Sequence, residues 1–334
     1  MTGKRWAALG IAAGVFFVST FINLASAMFF SDFSSVLEES FATDSTFMEE
    51  VLEPGDIDKR IAVLEVDGVI QDTGETVPLF SEGYMHRDFM KKLNQVKDDK
   101  TVKAIVLRVN SPGGGTNESA EIHHKLVEIK KETKKPIYVS MGSMAASGGY
   151  YISAPADKIF ASPETMTGSL GVIMQGVNYS ELADKFGVDF VTIKSGPYKD
   201  IMSPNREMTP EERDILQSML DNSYNEFVRV IAEGRGMSEG EVRKLADGRI
   251  YDGRQAKELN LIDAFGYQED VIAQLKKDHK LEDAEVIRYS AGTGFGSLFG
   301  VAAQKIMGKT GEMSGIVNIL SRPNSPRLMY LYSE

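Results

Sequence analysis

Residues 140–150, Ser-Met-Gly-Ser-Met-Ala-Ala-Ser-Gly-Gly-Tyr, have the composition of a turn on which a serine could act. The apolar run Pro136-Ile137-Tyr138-Val139 feeds into them, and another from Tyr150 to Ala154 follows. This pattern predicts a strand, a tight turn and a helix. Ser147 would stand where turn becomes helix, with its hydroxyl exposed and the positive end of a helix dipole beneath it. Two glycines after it let another backbone come close. Serine also favours helix N-caps for structural reasons alone, so this stretch by itself leaves nucleophile and N-cap equally open.

A second glycine-rich turn, Pro112-Gly113-Gly114-Gly115, follows another predicted strand. Such turns at helix starts often cradle phosphates, but the chain has neither G-x-G-x-x-G nor G-x-x-x-x-G-K-[ST]. The alternative is an oxyanion hole, with the N–H groups of Gly114 and Gly148 converging on a carbonyl attacked by Ser147. Losing one such donor costs about 3–4 kcal/mol of transition-state stabilisation.

A serine nucleophile needs a base. The four histidines are His86, His123, His124 and His279. None is spaced with a serine or paired across a Glu as in zinc hydrolases, and all are expected to be surface or packing residues. A lysine can serve where burial lowers its pKa from ~10.4 toward neutrality. Lys194-Ser195-Gly196-Pro197-Tyr198-Lys199-Asp200 offers two. Lys194 ends a predicted strand and is expected to face water, whereas a Ser-Gly-Pro turn would aim Lys199 into a cleft. Either is alternatively a solvated surface lysine. Asp200 could also hold Lys199 charged, which opposes a base role.

These residues need a scaffold, and the pattern predicts an α/β body. Strands are expected at 61–66, 102–109, 136–140, 158–160, 168–174, 188–194 and 286–289, the last as an edge. Helices are expected at 85–98, 118–130, from Ser147 onward, and at 179–186, 210–233, 240–246, 254–259 and 270–277. Strands alternating with helices imply βαβ units, and near-continuous apolar strands imply a sheet covered on both faces. Thr209, Pro210 and Glu212 read as N-cap, first helical residue and capping-box acid.

A net charge of −11 argues against a nucleic-acid binder. The absence of cysteine excludes thiol peptidases, disulfide scaffolds and cysteine zinc sites. No metal or other cofactor is expected. Lys4 and Arg5 precede an uncharged run from Trp6 to Phe30, longer than the ~20 residues needed to cross a bilayer. Only acidic charges follow until Lys59, so the positive-inside rule places the amino terminus in the cytoplasm and the body outside it. Ala25-Ser26-Ala27 offers a rival signal-cleavage site, but the apolar run continues past it. The expected organisation is a transmembrane anchor over 1–30, an acidic tether over 31–58, a folded domain over 59–290 and a flexible tail over 291–334. The apolar end of that tail, Leu328 to Tyr332, looks like a peptide substrate attached to its own enzyme. Tyr150 and Tyr151 are expected in the core.

Ser-Pro-Gly-Gly at 111–114, Ser-Met-Ala-Ala-Ser-Gly-Gly-Tyr-Tyr at 143–151, Thr-Gly-Ser-Leu-Gly-Val at 167–172 and Lys-Ser-Gly-Pro-Tyr-Lys-Asp at 194–200 together resemble the signal peptide peptidase A family. Ala-Asp-Gly-Arg-Ile-Tyr-Asp-Gly-Arg-Gln-Ala at 246–256 and Leu-Ile-Asp at 261–263 match a further family signature. The likeness spans about residues 60–267, and five motifs in order make it specific. It implies a membrane-anchored Ser/Lys peptidase of the S49 group, with a Clp protease/crotonase-like fold of repeated β-β-α units. It further implies Ser147 as nucleophile, Lys199 as general base, Gly114 and Gly148 as oxyanion donors and Ser169 as the hydroxyl positioning the lysine. Remnant signal peptides, held near the membrane, are the implied substrates. The implied assembly is a ring-like homo-oligomer, an octamer, whose serine and lysine come from neighbouring subunits. A crotonase-like acyl-CoA enzyme and an inactive membrane scaffold are the alternatives. The first usually places acidic residues for proton transfer, and the second would be expected to have lost the serine or the lysine.

Overall fold

A computed structural model of the chain describes residues 47–73, 83–290 and 328–332. The chain divides between Phe47 and Met48, and the unit beginning at Met48 carries the fold. The expected anchor over 1–30 lies outside the described residues, among which no helix is long and apolar enough to cross a membrane.

Strands β1 (Met48–Glu53), β2 (Asp56–Asp67), β3 (Val102–Ser111), β5 (Ile137–Ala146), β6 (Lys158–Ala161), β9 (Ala264–Phe265) and β10 (Ala284–Ser290) form a sheet in the order β1-β10-β2-β3-β5-β6-β9. Every pairing along that path is parallel except β1 with β10. The reason is legible in β2 and β3, where residues 61–64 and 104–107 are fully or almost fully buried. Such strands have no solvent face, and parallel sheets require cover on both sides. Ile61, Val63, Ala104, Val106, Tyr138 and Phe160 pack with Val271, Ile272 and Leu275 of helix α8 (Gln268–His279). The alternate residues point to the other face, where α1 (His86–Asp98), α2 (Thr116–Thr133) and α3 (Gly148–Ser153) follow β2, β3 and β5 in the chain. The remaining helices are α4 (Ser180–Lys185), α5 (Pro210–Arg235), α6 (Glu239–Leu245) and α7 (Gly253–Glu258). The capping box expected of Thr209 and Glu212 forms, with Pro210 as the first helical residue.

Four expectations are corrected. Met48–Glu53, assigned to the tether, is a sheet strand, so β10 is an interior strand and β1 the edge. Residues 188–194 form no strand. Their apolar side chains find no sheet within the single chain, and Val191 and Ile193 are 88% and 97% exposed. The strand expected at 168–174 lies earlier, as β7 (Met166–Gly168), and stops at Gly168 because Gly168 and Ser169 both take positive φ. The tail expected to be flexible over 291–334, its apolar end read as a substrate for a groove of its own or a neighbouring subunit, is ordered over residues 328–332. Met329–Leu331 forms β11, paired antiparallel with β4 (Gly113–Gly115).

Candidate active site

The strand β3 ends in a turn that its own serine holds. Ser111 Oγ accepts a hydrogen bond from the Gly113 N–H at 3.0 Å, and Gly113 takes φ +98, a region costly for any residue with a Cβ. Gly113 O and Gly115 N–H bond the backbone of Ile70, each at 2.8 Å. The alternation of a strand then turns the N–H and C=O of Gly114 to the opposite side. A Cβ on Gly114 would lie 1.9 Å from Ile70 O, so only glycine admits this approach.

The next strand, β5, ends at Ser147. Its N–H donates to Gly168 O at 2.8 Å, and its C=O accepts from Tyr151 N–H at 2.9 Å. Ser147 begins α3 but does not cap it with its side chain, which removes the reason for serine there as an N-cap. Its φ of +52 is a conformation that costs a non-glycine residue about 1–3 kcal/mol. It is 1% exposed, not open as expected, and its Oγ has no hydrogen-bond partner among the described residues. A buried hydroxyl left unpaired costs a further 1–3 kcal/mol or so. Two costs at one serine call for a functional account.

The Thr-Gly-Ser motif lies beside it. Strand β7 pairs with β5, setting Thr167 against Ala145 and Gly168 against Ala146. Thr167 Oγ1 donates to Ala145 O at 2.6 Å. Buried Ser169 donates its N–H to Arg249 O at 2.7 Å, and β8 (Ile250–Tyr251) pairs with β7 from the outside. The 246–256 motif thus braces the 167–169 turn that in turn holds Ser147.

The tail strand occupies the groove between these parts. Tyr330 faces Gly114, with Met329 against Gly115 and Leu331 against Gly113. Thr116 N–H donates to Leu328 O at 3.5 Å and Tyr332 N–H to Pro112 O at 2.9 Å. The alternation of an antiparallel ladder then makes Gly114 and Tyr330 a hydrogen-bonded pair. On its other side Met329 exchanges two backbone bonds with Ile173, at 2.9 and 3.0 Å. The Tyr330 carbonyl sits deepest. A Cβ on Gly113 would lie 2.0 Å from Tyr330 O and 2.6 Å from Gly148 N, and one on Gly148 would lie 3.1 Å from that oxygen. The Tyr330 carbonyl oxygen thus lies near both glycine turns, 112–115 and 147–149.

The Tyr330 side chain is 2% exposed. Its ring stacks on Tyr151 at 4.9 Å and packs against Phe227 of α5 at 4.7 Å, while its hydroxyl donates to Ser223 O at 3.1 Å. Tyr150 and Tyr151 are both core as expected, Tyr150 donating to Leu261 O and Tyr151 also stacking on Tyr330. Behind Tyr151 lies His123, 5.3 Å away. Burial, with Arg229 nearby, pushes its imidazole down to about 4, so the ring backing this pocket stays neutral at ordinary pH. His86, also buried, bonds Tyr84 Oη and Glu121. Composition alone could not single out Tyr151, Phe227 or the Ile173 backbone, since each is an ordinary apolar position in its own segment, whereas the tail end holding Tyr330 stood out as a substrate-like peptide.

Lys199 stands apart. It is exposed on the turn after residue 194, its backbone N–H donates to Gly196 O at 3.3 Å, and within the single chain no hydrogen bond joins it to Ser147. Lys194 is not a free surface group. It donates to Asp200 at 2.7 Å and to Pro197 O at 3.0 Å.

Known proteins bear on this arrangement. The sequence profile of peptidase family S49 matches residues 129–282, a span that holds Ser147, Ser169 and Lys199. A protein of Enterococcus faecium that carries a provisional signal peptide peptidase SppA name is 42% identical, over 99% of both chains. The chain belongs to peptidase family S49. Within the family it is also similar to Protease 4 of Salmonella typhi, 35% identical over 74% of this chain and 39% of that protein. The chloroplastic serine protease SPPA of Arabidopsis thaliana is 30% identical over 65% of this chain and 32% of its own. The resemblance to signal peptide peptidase A read from the five motifs therefore holds over nearly the whole chain, and the protein is a serine peptidase of mixed α/β fold with a largely parallel sheet.

Proposed function

We propose that the chain is a membrane-anchored serine endopeptidase that cleaves remnant signal peptides and other extended apolar segments through a Ser147/Lys199 dyad on a Clp protease/crotonase-like scaffold. The observation that carries this reading is the Tyr330 carbonyl seated against Gly113 and Gly148, beside a strained serine whose hydroxyl is buried and unpaired. Lys199 Nζ takes the Ser147 Oγ proton as the oxygen attacks the carbonyl carbon. The resulting oxyanion is held by the N–H groups of Gly114 and Gly148. The lysine then gives the proton to the departing amine, leaving an acyl-serine. A water attacks that ester, passing a proton through Lys199 back to Ser147. Ser169 is the residue that orients the lysine.

In this reading a substrate adds a strand to β4, so the backbone supplies affinity and pockets for alternate side chains supply selectivity. The tail is a substrate of the same kind, cut between Tyr330 and Leu331 in its own or a neighbouring subunit. Completion of the dyad by a neighbouring subunit of a homo-oligomer, an octamer, is favoured by two groups left open among the described residues, the Ser147 hydroxyl and the Lys199 side chain. It is also favoured by the uncovered Phe186, Val191 and Ile193 on the segment leading to Lys199. Anchoring by residues 1–30, with the amino terminus cytoplasmic and the domain extracytoplasmic, would hold the groove near such remnants.

The test is labelling and mixing. A fluorophosphonate probe labels wild type and not Ser147→Ala, and intact masses differ between the two by the residues after Tyr330. Ser147→Ala and Lys199→Ala subunits, each inactive, regain peptide cleavage when refolded together. Labelling that survives Ser147→Ala ends the nucleophile assignment, and mixtures as inactive as their parents end the shared dyad.

A further inference from the structure

An aspartate next in sequence is the nearest counter-ion a lysine can have, and Asp200 stands next to Lys199. The fold engages that carboxylate elsewhere. Asp200 Oδ1 accepts from Lys194 Nζ at 2.7 Å and from Arg206 Nη2 at 2.7 Å, and Oδ2 accepts from Arg206 Nε at 2.9 Å. Arg206 Nη2 also donates to the Asp200 backbone oxygen at 3.1 Å. The same guanidinium grips Glu212 at 2.5 and 2.8 Å, and Glu212 is 1% exposed in the capping box of α5. The loop is thereby closed at residues 194 and 200 and fastened to the start of a 26-residue helix, while the Lys199 side chain has no partner among the described residues.

We propose that Lys194 and Arg206 are positioning residues for the dyad, holding Asp200 in a closed chain of ion pairs so that Lys199 is presented without a counter-ion. This deepens the Ser/Lys reading and rests on Lys199 as the base. Asp189 and Glu207 on the same loop and Glu211, Arg213 and Asp214 at the start of the helix are exposed and stand outside the ion-pair chain. The chain itself consists of Lys194, Asp200, Arg206 and Glu212, which together are neutral. Removing Lys194 leaves this set with one net negative charge and an Asp200 only partly engaged. An opposite charge within ~4–6 Å favours the charged form of a lysine, the form that cannot accept the serine proton.

The test is the pH dependence of kcat/KM for a fluorogenic apolar peptide, measured on the full-length protein. Lys194→Met is expected to move the midpoint of the rising limb upward by about one pH unit, which is about tenfold less activity on that limb. Adding Asp200→Asn restores neutrality and returns the midpoint to that of wild type, although the turnover plateau falls because Arg206 has lost its anchor. A merely structural role for Lys194 would not be rescued by a second lesion in the same loop. A midpoint unmoved in Lys194→Met, or still displaced in the double variant, overturns the proposal. If Lys194→Met does not assemble, Lys194→Gln is held to the same criterion. Lys199→Ala separates the two levels, since retained cleavage there refutes the base assignment and not the clamp.

Discussion

Replacing Tyr330 by alanine is expected to raise the activity of the protein toward added peptides. Under the proposed function the tail strand lies where a substrate strand would lie, so an exogenous peptide must displace it, and the observed kcat/KM is the intrinsic value divided by one plus the docking constant. Most of the side-chain contribution to that constant comes from one residue. Tyr330 is 2% exposed between Tyr151 and Phe227, and burying an aromatic ring of that size is worth about 2–3 kcal/mol. Its hydroxyl bond to Ser223 O adds about 1 kcal/mol. Truncation therefore weakens docking by about 3 kcal/mol, which is roughly a hundredfold. Where the tail is docked most of the time, kcat/KM rises by up to that factor, and deleting residues 328–334 sets the ceiling. Tyr332→Ala, which leaves the backbone bond from residue 332 to Pro112 O intact, changes little. The assay is steady-state cleavage of a fluorogenic peptide by full-length protein, with the synthetic tail peptide as competitor. If Tyr330→Ala and the deletion both match wild type at every substrate concentration, and the tail peptide does not inhibit, the groove assignment is refuted.

Two further outcomes follow from the same geometry. Gly114→Ala would press a methyl group into Ile70 O and displace the N–H that the proposed mechanism uses as an oxyanion donor, so cleavage should fall by about 10²–10³. The chain should still carry Ser147 in an unchanged fold by circular dichroism, and near-normal cleavage would remove Gly114 from the mechanism. His123 should make stability pH-dependent. Its folded value of about 4 lies below the ordinary 6.5, so the unfolded chain takes up a proton that the folded chain refuses. That contribution is fully present above pH 6.5 and is lost as pH falls toward 4. The limit is about 3 kcal/mol at 1.36 kcal/mol per unit, and partial exposure of the ring reduces it. Urea titrations at pH 7 and 4.5 should show a smaller difference for His123→Phe than for wild type; equal differences would contradict the buried neutral ring.

The turns and strands made by local chain geometry were legible in the sequence. The 111–114 and 147–149 turns announce themselves by glycines that no other residue could replace, and the apolar runs of β2, β3 and β5 by their length and lack of polar breaks. Thr209 and Glu212 spelled out a helix start because capping needs only residues three apart. What could not be read were contacts between distant segments. Tyr330 reaches Tyr151 across about half the chain, and no periodicity records that. Residues 188–194 have the composition of a strand, but composition does not say whether an edge is available to pair with. Met48–Glu53 misled in the opposite sense, since acidic residues are tolerable in a strand whose outer side faces water, with Arg60 and Arg288 to receive Glu49 and Glu50. Asp200 read as a threat to Lys199 only because the arginine that claims it lies six residues further on.

The pairing of β11 with β4 also bears on solubility. Gly113–Gly115 offers one flank to Ile70 and the other to whatever strand arrives, and an uncovered strand edge above an apolar floor is a template for self-association between chains. Three glycines cannot protect such an edge with charge or bulk. A tethered segment that fills it acts as a dust cover, keeping copies of the protein from knitting together through their grooves while leaving the edge available to any extended peptide that outcompetes it. The same edge that the proposed function assigns to capturing extended chain would otherwise make the protein sticky toward itself, and residues 329–331 cover it with one strand.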